Sequence, residues 1–151
     1  MVAEGNGAEQ NPTCRDSEYV EALLEAARYN DIEDVKNLAA IGVSLDSKDA
    51  QGRTALHMAS ANGNVDIVNY LISNNADVNA CNVENNTPLH WACLNGHVEV
   101  VKILIIAGAD VSRLNRHEQT PVDEAAIGGK MNVIDAINTA VAQVELTRAS
   151  V

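Results

Sequence analysis

The sequence predicts an all-α solenoid: four stacked helix–turn–helix repeats with hairpin fingers between them. Three observations predict it. Thr54-Ala55-Leu56-His57 returns as Thr87-Pro88-Leu89-His90 and again as Thr120-Pro121-Val122-Asp123, in steps of 33 residues. The register holds through Ala59, Ala92 and Ala125, through Gly63, Gly96 and Gly129, and through Leu71, Leu104 and Ile137. The chain of 151 residues is 46% hydrophobic, yet its only aromatics are Trp91, Tyr19, Tyr29 and Tyr70. A fixed period of this length marks an array in which one repeat buries its apolar face on the next. A core of Ala, Val, Ile and Leu suits helices that pack closely.

Residues 1–16 read as a flexible N-terminal tail on composition. The first repeat, about 17–48, is a degraded copy. Leu23, Ala26, Ile32, Val35, Leu38, Gly42 and Leu45 keep the apolar and turn positions, while Glu21-Ala22-Leu23-Leu24 replaces the tetrapeptide. In the second repeat, about 49–81, the Thr54 hydroxyl is suited to cap a short inner helix that stops at Gly63. An outer helix follows and ends at Asn75, the usual substitute for glycine in a left-handed turn.

The third repeat, about 82–114, adds Pro88 at the first helical position, where a missing N–H is harmless. Val98, Val101, Leu104 and Ile105 then form one apolar helix face, closed by Gly108. The fourth repeat, about 115–147, has Asp123 and Glu124 where the third has His90 and Trp91, and Asn138 and Thr139 where it has Ile105 and Ile106. Polar residues there fit an end cap that meets water on one side. Its last helix is expected to reach about Thr147, leaving 148–151 as a C-terminal tail. The polar stretches 46–53, 79–86 and 112–119 read as turn-forming fingers.

The net charge is −11. Such a chain repels phosphate backbones and anionic lipid, which disfavours nucleic acid and membrane partners and favours a basic protein. Val100–Ala109, the longest apolar stretch, is broken by Lys102 and is too short to span a bilayer. Cys14, Cys81 and Cys93 are odd in number and form no C-x-x-C pair, so reduced thiols in the cytoplasm, or also the nucleus, are expected. The first 18 residues lack the apolar core of a signal peptide.

Some residues invite chemical readings. His57 and His90 invite the reading of a shared metal ion, but equivalent positions on adjacent stacked helices lie about 8–10 Å apart, whereas zinc holds each ligand at about 2.0–2.3 Å. Cys93 lies one turn from His90, but no orienting group or oxyanion-hole pattern accompanies the pair, and its slot holds Ser60 and Ala126 in the neighbouring repeats. Trp91 keeps two readings: an anchor on the hollow face, or a ring buried between inner and outer helices. The acidic run of Asp16, Glu18, Glu21, Glu25, Asp31, Glu33 and Asp34 is either a solvated cap face or a landing site for a basic partner.

T-P-L-H-x-A-x-x-x-G with G-A-D-V downstream, recurring at this spacing over about residues 17–147, resembles the ankyrin repeat. The resemblance implies a monomeric, non-catalytic protein-binding array that uses its finger tips and concave inner-helix face. No catalytic residue, metal or cofactor goes with it. It also implies that His57 and His90 bond groups near the neighbouring finger. Mapped onto this chain, the implied contacts are Asp49, Gln51, Arg53, Glu84, Asn86, Arg116, His117 and Gln119 on the fingers. On the inner helices they are Asn62, Trp91, Leu94 and Asn95. The stretches TALHMASANGNVDIVNYLI and TPLHWACLNGHVEVVKIL are further similar to the middle repeats of a small yeast ankyrin chaperone for a basic ribosomal protein of the small subunit. That likeness implies a chaperone-like holder of a cationic client. The alternative is a signalling adaptor or kinase-inhibitor-like module.

Overall fold

The computed structural model describes residues 12–149 and, among them, eight helices and no strand. In chain order they are α1 (Pro12–Arg28), α2 (Ile32–Ala40), α3 (Ala55–Ala61), α4 (Val65–Ser73), α5 (Pro88–Asn95), α6 (Val98–Ile106), α7 (Pro121–Ile127) and α8 (Met131–Ala149). Odd-numbered helices stack on one another as an inner row, even-numbered helices form an outer row, and each odd helix packs on the even one that follows. This is the predicted solenoid.

Both ends differ from the expectation. Residues 12–16, assigned to a tail on composition, belong to α1, whose first residue is a proline at a position that needs no N–H. At the other end α8 runs to Ala149 rather than stopping near Thr147. Residues 1–11 and 150–151, and with them the rest of the two expected tails, lie outside the described residues, as does the Cys14 side chain.

Thr54, Thr87 and Thr120 cap α3, α5 and α7. Each side chain accepts the N–H of the third helical residue, and that residue's side chain reaches back to the threonine N–H. The reciprocal pair satisfies two otherwise orphaned donors. Inner helices end in left-handed turns at Gly63, Gly96 and Gly129. Asn30 (φ 63°) does the same in the first repeat, a position that motif matching had passed over.

The core is what the small-residue register implies. Ala26, Ala59, Ala92 and Ala125 are buried between inner helices, with Leu23, Leu56 and Leu89 beside them. Val35, Leu71, Leu104 and Ile137 close the outer layer. The C-terminal half of α8 runs on past the register position where α6 stops, and its Val141 and Val144 pack on the core.

The fingers are built alike. Asp49, Asn82 and Asn115 each use a side-chain oxygen to accept the N–H groups two and four residues on. Each finger is then linked to the next by one backbone bond, Val83 N–H to Gln51 C=O (3.0 Å) and Arg116 N–H to Glu84 C=O (2.9 Å). The tip needs a left-handed residue, supplied by Gly52 (φ 77°), Asn85 (φ 62°) and Glu118 (φ 59°). Glutamate carries a Cβ penalty there that asparagine partly escapes. Glu118→Asn is therefore expected to raise the unfolding free energy by about 0.5–1 kcal/mol, read from urea denaturation. An unchanged value would show that the third finger tip is not strained.

Candidate protein-binding face

The hollow side of the array is set by two kinds of element, the inner helices and the fingers. The histidines tie them together. His57 Nδ1 accepts the Thr54 N–H (3.1 Å), which places the ring proton on Nε2, and Nε2–H donates to Asn86 C=O of the next finger (2.8 Å). His90 repeats the arrangement with Thr87 (3.1 Å) and Gln119 C=O (2.9 Å). Both rings are fully buried. Burial, opposed by the bond to Asn86, pushes the His57 imidazolium down to about 4. Burial lowers His90 in the same direction, against the pull of Gln119 C=O. With both ring nitrogens bonded to the scaffold, neither imidazole offers a lone pair to a metal. In the last repeat Asp123 keeps only the accepting half of this role, taking the Thr120 N–H at 2.9 Å.

A second clasp runs the other way. His97 Nε2 bonds Ala61 C=O (2.9 Å), with the ring lying over Gly63. Asn64, one repeat earlier, donates to Ala27 C=O (2.8 Å) and Arg28 C=O (3.1 Å). The 33-residue spacing of Asn64 and His97 was the available signal for this pair.

Several residues expected to meet a partner are engaged by the array itself. Asp49 accepts Arg53 Nε at 2.8 Å as well as the finger's backbone N–H groups. Its burial raises the carboxyl, but the Arg53 and Gln51 hydrogen bonds and the Arg53 charge outweigh that and hold it below the usual range. Asn86 gives its carbonyl to His57 and its side-chain oxygen to the buried Asn115 (2.9 Å), which also binds Glu124 Oε2 (2.7 Å). Gln119 is half-buried and gives its carbonyl to His90. Sequence reasoning missed Asn115, although it shares its register with Asp49 and Asn82.

The exposed set is narrower. Gln51, Glu84, Arg116 and His117 stand on the finger tips. Asn62 and Asn95 are exposed at the inner-helix ends, where each folds back on a helix carbonyl, Met58 (2.8 Å) and Trp91 (3.0 Å). Leu94 is 38% exposed. Trp91 is half-buried, with its ring edge-on to His57 at 5.2 Å and 67°, and it shares a helix face with Leu94 and Asn95.

Cys93 is inaccessible, and burial, reinforced by the Glu124 charge, pushes its thiol up to about 12, so it is a packing residue. In the acidic run, Asp31 caps α2 through the Asp34 N–H (3.2 Å), and Asp16, Glu18, Glu21, Glu25, Glu33 and Asp34 are all exposed. No described helix is long and apolar enough to cross a membrane.

The family model described as ankyrin repeats (3 copies) matches residues 23–115 and 77–138. The chain belongs to the ankyrin-repeat family. It is thus a protein–protein interaction module from a family whose members are generally non-catalytic.

Proposed function

We propose that this array holds a partner protein without chemistry, on its concave face and finger tips, and that the partner is basic. The observation that carries the choice of face is the placing of Trp91 beside exposed Leu94 at the centre of a preorganised surface that is flanked by charged fingers. A rigid face loses little entropy on binding, and an aromatic beside an aliphatic residue is a common anchor. The net charge of −11 favours a cationic partner. In its finer form the reading is chaperone-like: a monomer in the cytoplasm, or also the nucleus, shields a basic protein such as a ribosomal one, in line with the likeness of the two middle repeats. The adaptor or kinase-inhibitor-like alternative is favoured by Trp91 and Leu94 themselves, because apolar contacts are insensitive to salt.

The test is capture of partners from extract by the intact chain at low and high salt, beside a variant with Leu94→Glu and Glu84→Arg. Glu84 is exposed and Leu94 is 38% exposed, and circular dichroism checks that the variant keeps its fold. A basic partner released by salt and lost from the variant is the expected result. A partner retained in high salt but lost from the variant favours the adaptor. Capture that ignores the variant places binding elsewhere on the molecule.

A further inference from the structure

The inner helices carry two register rows to the hollow side. The first is Glu25, Met58, Trp91 and Glu124, and one turn on lies the second, Arg28, Ala61, Leu94 and Ile127. Their middle is apolar, with Met58, Trp91, Ala61 and Leu94, and the second row stays apolar to Ile127 at its end; Leu94 is 38% and Ile127 63% exposed. The first row ends in a carboxylate on both sides. At the N-terminal end Glu18, Glu21 and Glu25 line a groove of about 530 Å³ between α1 and the first finger. Arg28 and Arg53 line the same groove, but the Arg53 charge is met by Asp49 at 2.8 Å. At the other end Glu124 holds Asn115 through Oε2.

We infer that these rows seat one amphipathic helix of the partner, apolar along the middle of its contact face and cationic at both ends. The inference rests on the concave face being the binding face, and adds what the partner brings to it. The charge pattern sets the ends. The backbone sets the secondary structure: the finger amides and carbonyls along the hollow side are bonded to each other, Val83 to Gln51 and Arg116 to Glu84. An extended segment would find no backbone edge between the fingers, whereas a helix satisfies its own. Spacing agrees. Inner helices about 8–10 Å apart match a helix that presents one apolar residue every seven, a rise of about 10 Å. The cations then fall about 16–20 residues apart.

The probes are three labelled synthetic helical peptides of about 21 residues, titrated against the intact chain by fluorescence anisotropy. One has leucines every seventh residue and lysines at both ends. The second has glutamates at the ends, and the third scrambles the first. The first is expected to bind about tenfold more tightly than either of the others. Leu94→Ser with Ile127→Ser should weaken it about tenfold, with circular dichroism showing that the variant keeps its helical fold. Glu21→Lys with Glu25→Lys should shift preference toward the glutamate-ended peptide. Equal binding of all three peptides, or a preference unmoved by the charge reversal, overturns the inference. If no peptide binds while a captured partner still depends on Leu94, this assignment falls and the broader reading of the face stands.

Discussion

Replacing His57 with leucine is expected to lower the unfolding free energy by about 3 kcal/mol at neutral pH. Leucine fills much of the imidazole's volume, so the loss is one of bonding rather than packing. It leaves the Thr54 N–H and the Asn86 carbonyl without the ring nitrogens that hold them at 3.1 and 2.8 Å, and a stranded buried polar group costs about 1–3 kcal/mol. The same substitution should flatten the acid response. The His57 ring titrates near 4 in the folded chain, against an ordinary value of 6.5. Between those values the unfolded chain takes up a proton that the folded chain refuses, so stability is full above about pH 6.5 and falls as pH drops toward 4. From pH 7 to pH 5 this one group removes about 2 kcal/mol. His90 acts with the same sign and remains in the variant. The gap between wild type and His57→Leu should therefore narrow by about that amount, read from urea unfolding followed by circular dichroism. Parallel losses in the two proteins would mean that His57 is not held neutral by its site.

The second large effect is expected from Gly63→Ala, at about 2–3 kcal/mol. Gly63 sits at φ 72°, and a Cβ built there lies 2.6 Å from His97 Nδ1. The ring cannot swing aside freely because it is bonded to Ala61. Gly129→Ala supplies the control, since Gly129 has φ 70° and open space around the added carbon. It should lose only about 1 kcal/mol for the left-handed backbone. The difference between the two alanines measures the clasp. In a His97→Ala background it should disappear, because the atoms that collide are gone. Equal losses at the two glycines in the wild-type background would remove the clasp from the account.

Much of the fold was legible because its determinants are local. Threonine, proline and glycine mark the ends of α5 within ten residues, and the capping geometry follows from those residue types alone. The finger region was harder. Asp49, Arg53 and Asn86 are polar residues in turns, which from sequence looks the same as a solvent-facing contact set. Only coordinates show that Asp49 closes its own finger and that Asn86 braces the third. The shared position of Asp49, Asn82 and Asn115 was a usable clue, since short side-chain acceptors commonly organise the turn that follows them. The overrun of the last helix was legible to within two residues, because helix propensity continues through residues 140–149. Asn30 was missed because the first repeat keeps the turn while losing the motif that flags it.

The histidine ties also impose an order in time. Each imidazole finds its outer acceptor 29 residues downstream, so during synthesis a repeat that has emerged from the ribosome stays unfinished until the following finger appears. Maturation then travels behind the growing end by nearly one module, and the final module, where Asp123 asks for no such acceptor, is complete as soon as its own helices are.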